Sequence, residues 1–265
     1  MFLFGKKTER KVSETDLKRG LKKKEFVFYY QPEFELKSGK VIALEALMRW
    51  NAPDGIIPPD EFIPVLEASG LIKDFTEFLL RQTLTDLKTI HAAGYADVVM
   101  AVNLSAVQLK DPSLIDTIKK VLAETQTDSK FLECEITESQ QLVLPEMQET
   151  VFKELAALGI AISIDDFGTG YSSFNYLRHL DAKKLKVDCD FVRTLEENPK
   201  NKKILPVIIK LGHDLQIPVL AEGIETTEQK EYLEQNGCDF GQGFWFSRPL
   251  PLEQLTAFLE KKKEN

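Results

Sequence analysis

The chain of 265 residues has no long hydrophobic run and little cysteine. None of its apolar stretches approaches the roughly 20 residues of a transmembrane helix, and the opening MFLFG is too short for the hydrophobic region of a secretory signal. Three cysteines without a CxxC spacing (Cys134, Cys189 and Cys238) are typical of reduced thiols rather than of a disulfide framework. We therefore expect a cytoplasmic protein without a transmembrane segment.

Positive charge is scarce beyond the first 24 residues. Residues 1–24 hold nine Lys or Arg and three acidic residues, a local charge of +6, so the total of −8 leaves −14 for the remainder. A body this acidic lacks the basic surface that binds a phosphate backbone, which argues against polymeric nucleic acid as a partner. We interpret residues 1–25 as a basic, solvated lead-in segment and residues 26–265 as the folded domain. With Phe2, Leu3 and Phe4, the lead-in segment has an alternative role as a weak peripheral contact to an anionic membrane surface.

The first regular elements are predicted from Phe26 onward. The stretch FVFYYQPEFELKSGKVIALEALMRW is typical of two strands joined by a turn that is too short for a crossover, so the two strands are antiparallel. A helical segment is predicted from Pro59 to about His91, with its apolar residues on one face.

Short apolar runs then alternate with amphipathic segments, which is typical of parallel strands with outer helices. No Pro/Gly/Ser-rich linker interrupts the series. About eight strands in a chain of this length predict one closed barrel of the TIM type, (β/α)₈, with the first strand antiparallel to the rest. An open doubly wound sheet is the alternative. The six runs are VVMAVNLS, FLECEITES, IAISIDDF, KLKVDCDF, PVLAEGIE and DFGQGFWF.

Polar residues recur at the ends of these predicted strands. One acid at a strand end is about as often a helix cap or a solvated loop residue as a functional group. Seven strands that end in this way favour a common site, because the carboxyl ends of parallel barrel strands lie on one face. The residues are, in order, Glu45, Asn103, Glu135, Asp165, Asp166, Lys186, Asp188, Glu222 and Gln242.

Six carboxylates in one pocket require a positive partner. Two unit charges about 4 Å apart repel each other by roughly 4 kcal/mol at an effective dielectric constant near 20, and Lys186 alone cannot balance six of them. Oxygen ligands suit magnesium, manganese or calcium, whereas the three histidines lie outside the strand ends, which argues against zinc.

The adjacent Asp165 and Asp166 lie where a strand breaks into a glycine-rich loop, so both side chains can turn inward. Each can then bind a different cation, or one can bridge two. Two divalent cations about 3.5–4 Å apart activate a water and stabilise a phosphoryl displacement, so the sequence predicts phosphodiester hydrolysis.

At these residues the chain resembles the EAL-domain phosphodiesterases, which hydrolyse the bacterial second messenger cyclic di-GMP. The tripeptide that names the family stands here as Glu45-Ala46-Leu47, and the resemblance extends over about residues 26–251. The other motifs that carry it are, in order, YQP, DEFIP, VNLSA, EITES, DDFGTGYSS, LKVD, AEGIET and QGFWFSRPL.

The resemblance implies a barrel with a reversed first strand, two Mg²⁺ or Mn²⁺ ions as cofactors, hydrolysis of cyclic di-GMP to linear 5'-pGpG, and a homodimer. It also implies the roles of individual residues. The implied cation ligands, some of which are also catalytic, are Glu45, Asn103, Glu135, Asp165, Asp166 and Glu222, with Asp188 as a further ligand.

Other residues receive roles from the same resemblance. Lys186 would orient or stabilise the attacking hydroxide, and Gln242 would complete the polar network around the cations. Gln31 and Arg49 would bind the substrate, since a guanidinium fork suits a pair of phosphate oxygens. Glu138 would anchor the loop of residues 167–173, which links the metal site to a dimer interface in similar proteins.

Three points remain open from the sequence. Met48, beside the polar strand ends, is a candidate for contact with a base of the substrate. The general base is either Glu222 or Lys186, unless a cation-activated water needs none. A receptor or protein-binding module without turnover is the main alternative to an enzyme, and a barrel that acts on another phosphate ester or an enolisable acid is the second.

Overall fold

The computed structural model describes residues 12–137, 146–169, 177 and 180–263. Glu138, the predicted loop anchor, and most of the loop that follows Phe167 lie outside the described residues.

The strands form one sheet that closes into a barrel of eight strands. The first strand pairs antiparallel with both of its barrel neighbours, and the other neighbouring barrel strands are parallel, which confirms the predicted fold. Two short strands, β3 and β10, extend the sheet at its margins. The strands are β1 Phe26–Glu35, β2 Val41–Ala52, β3 Gly55–Ile57, β4 Val99–Asn103, β5 Leu132–Thr137, β6 Ala161–Phe167, β7 Lys184–Val187, β8 Val219–Ala221, β9 Phe240–Gly241 and β10 Leu250–Pro251.

Helices cover the outside of the barrel. None of those in the described part of the chain is both long and apolar enough to cross a bilayer. The helices are α1 Glu14–Lys22, α2 Pro59–Ser69, α3 Ile72–Ala92, α4 Ala106–Leu109, α5 Leu114–Thr125, α6 Glu146–Ala157, α7 Cys189–Arg193, α8 Asn201–Asp214, α9 Thr227–Gln235 and α10 Leu252–Lys263.

The segment from Pro59 to His91 differs from its prediction because two helices replace one. Gly70 ends the first of them with φ 77, and its N–H donates to the carbonyl of Glu67. Glycine adopts this left-handed conformation without the steric cost that other residues incur, so it stops the helix although the apolar pattern continues.

The apolar core lies between the barrel and its helices. Strand residues alternate in direction, so the residues that flank each polar position point outward. Leu44 and Ala46 flank Glu45, and both belong to the main apolar cluster. The polar residues face the inside of the barrel together with a few apolar ones such as Ala43 and Ala101, and this arrangement brings the polar residues close to one another.

Part of the expected lead-in segment is packed rather than solvated. Ser13 caps helix α1 by accepting a hydrogen bond from the N–H of Asp16, and Leu17 is fully buried. Leu17 belongs to a second apolar cluster with Phe26 and Trp50, beneath helices α2 and α3. The many basic residues of this segment predicted a solvated chain, although one face of helix α1 is buried.

Replacing Leu17 with alanine tests this packing. We expect Leu17→Ala to lower the free energy of unfolding by about 2–5 kcal/mol, because the substitution leaves a cavity among aromatic rings. Denaturant unfolding measures the change. Lys18→Ala, at a neighbouring side chain that is 59% exposed, is the control and should change the free energy by less than about 0.5 kcal/mol. Equal effects of the two variants would contradict the packing.

Candidate metal and active site

The ends of five barrel strands bring four carboxylates around one buried ammonium group. Lys186, on β7, is fully buried. Its Nζ atom lies 2.9 Å from Glu135 Oε1, 2.9 Å from Glu222 Oε1, 3.3 Å from Asp165 Oδ1 and 3.6 Å from Glu45 Oε2. The predicted convergence of these residues is therefore present in the structure.

Two amides orient the carboxylate of Glu45. Gln242 Nε2 donates to Glu45 Oε2 at 2.8 Å, and Asn103 Nδ2 donates to Glu45 Oε1 at 3.0 Å. In this orientation the carbonyl oxygen of Asn103 does not bond to Glu45 and remains available as a ligand.

Gln242 owes its position to a close approach between two chain segments. Its N–H donates to the carbonyl of Ala221, and its own carbonyl accepts from Ile224. At the adjacent Gly243, which has φ 158, a Cβ atom would lie 2.1 Å from the carbonyl oxygen of Ile224. Only glycine allows the two segments to meet this closely.

The adjacent aspartates both face the site because strand β6 is irregular at Asp166. Asp166 has φ 53, and the pairing of β6 with β7 shifts register between Ile164 and Phe167. An aspartate tolerates this left-handed conformation better than most residues. Asp165, Asp166 and Glu222 each offer a carboxylate oxygen, and these oxygens lie within 4.8 Å of one another.

Burial and mutual repulsion shift the pKa values of the acids. Burial raises the pKa of Glu222 to about 8, and Asp165 and Glu45 add to the rise against the opposing effect of Lys186. Burial, with Asp165 and Asp188, raises the pKa of Asp166 to about 6.

Glu45 and Lys186 shift in the direction that keeps both charged. Burial raises the pKa of Glu45, but Lys186, Gln242 and Asn103 together lower it below its ordinary value. Burial lowers the pKa of Lys186, but the surrounding carboxylates, Asp165 first, hold it well above its usual range.

The donor set fits divalent cations. Both carboxylate oxygens of Glu135 and the Oδ1 atom of Asp165 are buried and accept no hydrogen bond of acceptable geometry from the described residues, although Lys186 is close to both side chains. Lys186 supplies a single positive charge to the whole cluster. Carboxylate and amide oxygens are the ligands that Mg²⁺ and Mn²⁺ prefer.

A cavity of about 360 Å³ opens above these carboxylates. Gln31 and Arg49, the predicted substrate residues, line it. Leu47, Arg193 and Glu225 also line it and were not selected from the sequence. The period of two along β2 was the available signal for Leu47, since it places Leu47 on the same face as Glu45 and Arg49.

Met48 and Asp188 occupy different positions from the main cluster. Met48 points to the opposite face of β2 and lines a neighbouring, more apolar cavity with Phe75 and Leu79. Asp188 caps helix α7 by accepting from the N–H of Asp190 at 2.8 Å, and it also hydrogen-bonds Asp166.

The model of the EAL domain family matches residues 14–249 of this chain. The chain belongs to the EAL domain family. The signaling protein YkoW of Bacillus subtilis (strain 168) is 40% identical to this EAL chain over 255 residues, which are 96% of this chain and 32% of YkoW. The bifunctional diguanylate cyclase/cyclic di-GMP phosphodiesterase MucR of Pseudomonas aeruginosa is 38% identical over 243 residues, which are 91% of this chain and 36% of MucR. This EAL chain thus spans about a third of the length of the curated relatives it matches.

Solved structures give the same assignment. The PaMucR phosphodiesterase in complex with c-di-GMP superimposes with a TM-score of 0.86 at 38% identity, covering 91% of this EAL chain and 98% of that chain. The EAL enzyme Bd1971, in its cAMP and cyclic-di-GMP bound form, gives a TM-score of 0.88 at 32% identity, covering 93% and 68%.

The raised pKa values predict how the stability of the metal-free EAL chain depends on pH. A carboxyl group with a raised pKa binds its proton more tightly in the folded than in the unfolded state. For Glu222 this stabilisation is complete below about pH 4.5 and is lost as the pH rises through about 8. We therefore expect the melting temperature in EDTA to fall between about pH 5 and pH 8, as measured by thermal scanning.

Glu222→Gln is the matched variant for this measurement, because the amide cannot ionise. Its melting temperature should fall less steeply between about pH 5 and pH 8 than that of the unaltered chain. A melting temperature that rises across the same range would contradict the assigned direction.

Proposed function

We propose that this chain is a metal-dependent phosphodiesterase that hydrolyses cyclic di-GMP to linear 5'-pGpG by in-line attack of an activated water. The observation that supports it most is the convergence of Glu45, Glu135, Asp165 and Glu222 on one point below an open cavity. Relatives that are named as cyclic di-GMP phosphodiesterases, and the complex of PaMucR with c-di-GMP, support the substrate.

The proposed cation ligands are those that the resemblance implies. Glu45, Asn103, Glu135, Asp165, Asp166 and Glu222 would hold two Mg²⁺ or Mn²⁺ ions, with Asp188 beside Asp166 as a further ligand. When bound, the cations supply Lewis-acid activation of the attacking water and stabilise the charge of the reacting phosphate.

Lys186 has a different role from the acids. Its raised pKa keeps the ammonium protonated at neutral pH, so it cannot accept a proton from water. A protonated Lys186 would instead stabilise negative charge on the attacking oxygen. Of the two candidates for a general base, we propose Glu222. Its pKa of about 8 belongs to the metal-free cluster, and the positive charge of bound cations would lower it, so that the carboxylate could accept a proton.

Gln31 and Arg49 would bind the substrate above the cations. Arg49 lines the cavity, and its NH1 atom also donates to the carbonyl of Met48 at 2.9 Å, which steadies the side chain. A guanidinium group binds phosphate oxygens in pairs, so it can fix the orientation of the scissile diester.

A receptor without turnover is the alternative function. It requires the cavity and Arg49 but not a loaded cation site, so binding and turnover must be measured separately. The homodimer and the cytoplasmic location, both expected from the sequence, stay predictions.

Replacing Glu45 tests the proposed function. We expect Glu45→Gln to lower kcat for cyclic di-GMP in Mn²⁺ or Mg²⁺ by about 100-fold or more, because cation activation contributes several kcal/mol and 1.36 kcal/mol is a factor of ten. Chromatographic detection of the linear product measures turnover. Glu253→Gln, at an exposed acid of helix α10, is the control and should leave the rate unchanged. Binding without turnover by the unaltered chain would favour the receptor, and full turnover by Glu45→Gln would remove the metal assignment.

Replacing Arg49 tests substrate binding without interference from turnover. In the Glu45→Gln background we expect Arg49→Lys to raise the Kd for cyclic di-GMP by about tenfold, since loss of a paired charge-assisted contact costs about 1.4 kcal/mol or more. Isothermal titration calorimetry measures the Kd. Arg81→Lys, whose arginine pairs with Glu77 on the outside of helix α3, is the control. An unchanged Kd in Arg49→Lys would place the phosphate elsewhere.

A further inference from the structure

The barrel interior holds a second polar layer beneath the candidate site. Residues two positions apart on a strand face the same side, so each inward residue of the site has a partner one layer below it. On β1, which runs in the opposite direction, the lower residue follows the upper one. The pairs with a polar lower residue, lower residue first, are Glu33 and Gln31 on β1, Glu133 and Glu135 on β5, Ser163 and Asp165 on β6, and Lys184 and Lys186 on β7. The lower residues on β2, β4 and β8 are the buried apolar Ala43, Ala101 and Leu220.

The lower layer is joined by one lysine. Lys184 Nζ lies 2.5 Å from Glu33 Oε2 and 2.7 Å from Glu133 Oε1. The side chain of Lys184 is 5% exposed, that of Glu33 0% and that of Glu133 10%. We call Glu33, Glu133 and Lys184 the buried triad. It connects β7 with β1 on one side and with β5 on the other.

Stability does not account for these charges. The interiors of comparable barrels are filled mainly by bulky branched apolar residues. A buried ion pair is often no more stabilising than apolar residues of the same volume, because both charges must lose their water. Three buried atoms of this layer also have no hydrogen-bond partner of acceptable geometry among the described residues: Glu33 Oε1, Ser163 Oγ and Glu133 Oε1, whose contact with Lys184 is an ion pair only. Apolar residues of the same volume would thus fill this space at least as favourably for the free energy of folding.

The triad is well placed to control the layer above it. Glu135 and Lys186 lie two residues beyond Glu133 and Lys184, a distance of about 7 Å along their strands. Their own contact across the barrel is 2.9 Å. A tie between β5 and β7 at the lower level therefore limits how far the two strands can move at the upper level.

We propose that the buried triad is a positioning element of the cation site: Lys184 ties Glu133 to Glu33 and thereby holds Glu135 and Lys186 at the separation that cation binding needs. This inference rests on the proposed metal-dependent function. Among the described residues, none of the three side chains lines the cavity of the site, and their ion pairs are with one another, so the triad would act only through the residues above it.

Two variants separate positioning from stability. The apolar triple variant Glu33→Leu/Glu133→Leu/Lys184→Met removes all three charges and fills the same space. The charge-reversed pair Glu33→Lys/Lys184→Glu keeps one cation and two anions within the layer. The control is Tyr30→Phe/Asp86→Asn, which removes a buried hydrogen bond between β1 and helix α3 outside the barrel.

The readouts are the affinity for Mn²⁺, from electron paramagnetic resonance of the free ion, the melting temperature in EDTA, and kcat and KM for cyclic di-GMP. We expect the apolar triple variant to fold but to bind Mn²⁺ about 10–100-fold more weakly, the loss typical of groups that orient metal ligands. Its kcat should fall with little change in KM. The charge-reversed pair should recover Mn²⁺ affinity to within about threefold of the unaltered chain. The control should bind Mn²⁺ as tightly as the unaltered chain.

Several results would overturn the proposal. A folded apolar triple variant with unchanged Mn²⁺ affinity would show that the triad does not position the site. A folded charge-reversed pair that binds Mn²⁺ as weakly as the triple variant would do the same. Failure of both variants to fold would assign the triad to folding itself.

The outcome is independent of whether the proposed hydrolysis occurs. Turnover is measured first with the unaltered chain. If that chain binds Mn²⁺ but leaves cyclic di-GMP intact, the proposed function fails while the Mn²⁺ affinities of the variants still decide the role of the triad.

Discussion

One buried ammonium group among too many carboxylates is the constraint on which the site depends. Lys186 is surrounded by Glu45, Glu135, Asp165 and Glu222, and its single charge cannot neutralise them. Burial, with the charges of Asp165 and Glu45, raises the pKa of Glu222 to about 8, so in the absence of other cations this carboxyl group holds a proton at neutral pH. Divalent cations remove the same excess of charge without protons. The arrangement thus favours cation binding at neutral pH and makes the metal-free protein sensitive to alkali.

The barrel makes this concentration of charge tolerable by separating polar and apolar residues. The outward residues of the strands form an apolar layer with the helices, while most of the buried charges face the inside of the barrel. Stability resides mainly in the outer layer, so the interior can hold charges that serve the site. The buried triad of Glu33, Glu133 and Lys184 extends this polar interior a further layer below the proposed cation ligands.

The barrel could be predicted from the sequence because strand and helix periods alternate regularly. The break at Gly70 could not, since the apolar pattern continues through it and only the backbone conformation ends the helix. The burial of Leu17 was hidden by the surrounding lysines, whose charge says nothing about the single apolar face of helix α1.

Most acids of the site were recognisable because they lie near or just after the end of a strand. Glu45 lies inside the longer β2, and the tripeptide Glu45-Ala46-Leu47 identified it instead. The walls of the cavity were not recognisable, because Arg193 and Glu225 reach it from helix α7 and the loop after β8. Met48 was selected from the sequence because it lies beside the polar strand ends. It is adjacent to Leu47 and Arg49, but in the structure it faces a different cavity, because the pleat turns successive side chains apart. Sequence proximity identified the strand but not the face.

The central claim is that Asp165, Asp166, Glu222 and their neighbours gather to bind paired divalent cations. A crystal of the chain grown with Mn²⁺ and measured at the manganese absorption edge tests it most directly. The account predicts two anomalous peaks about 3.5–4 Å apart among these carboxylates. A crystal grown in saturating Mn²⁺ that shows no peak among these carboxylates, or peaks only elsewhere on the protein, would contradict it.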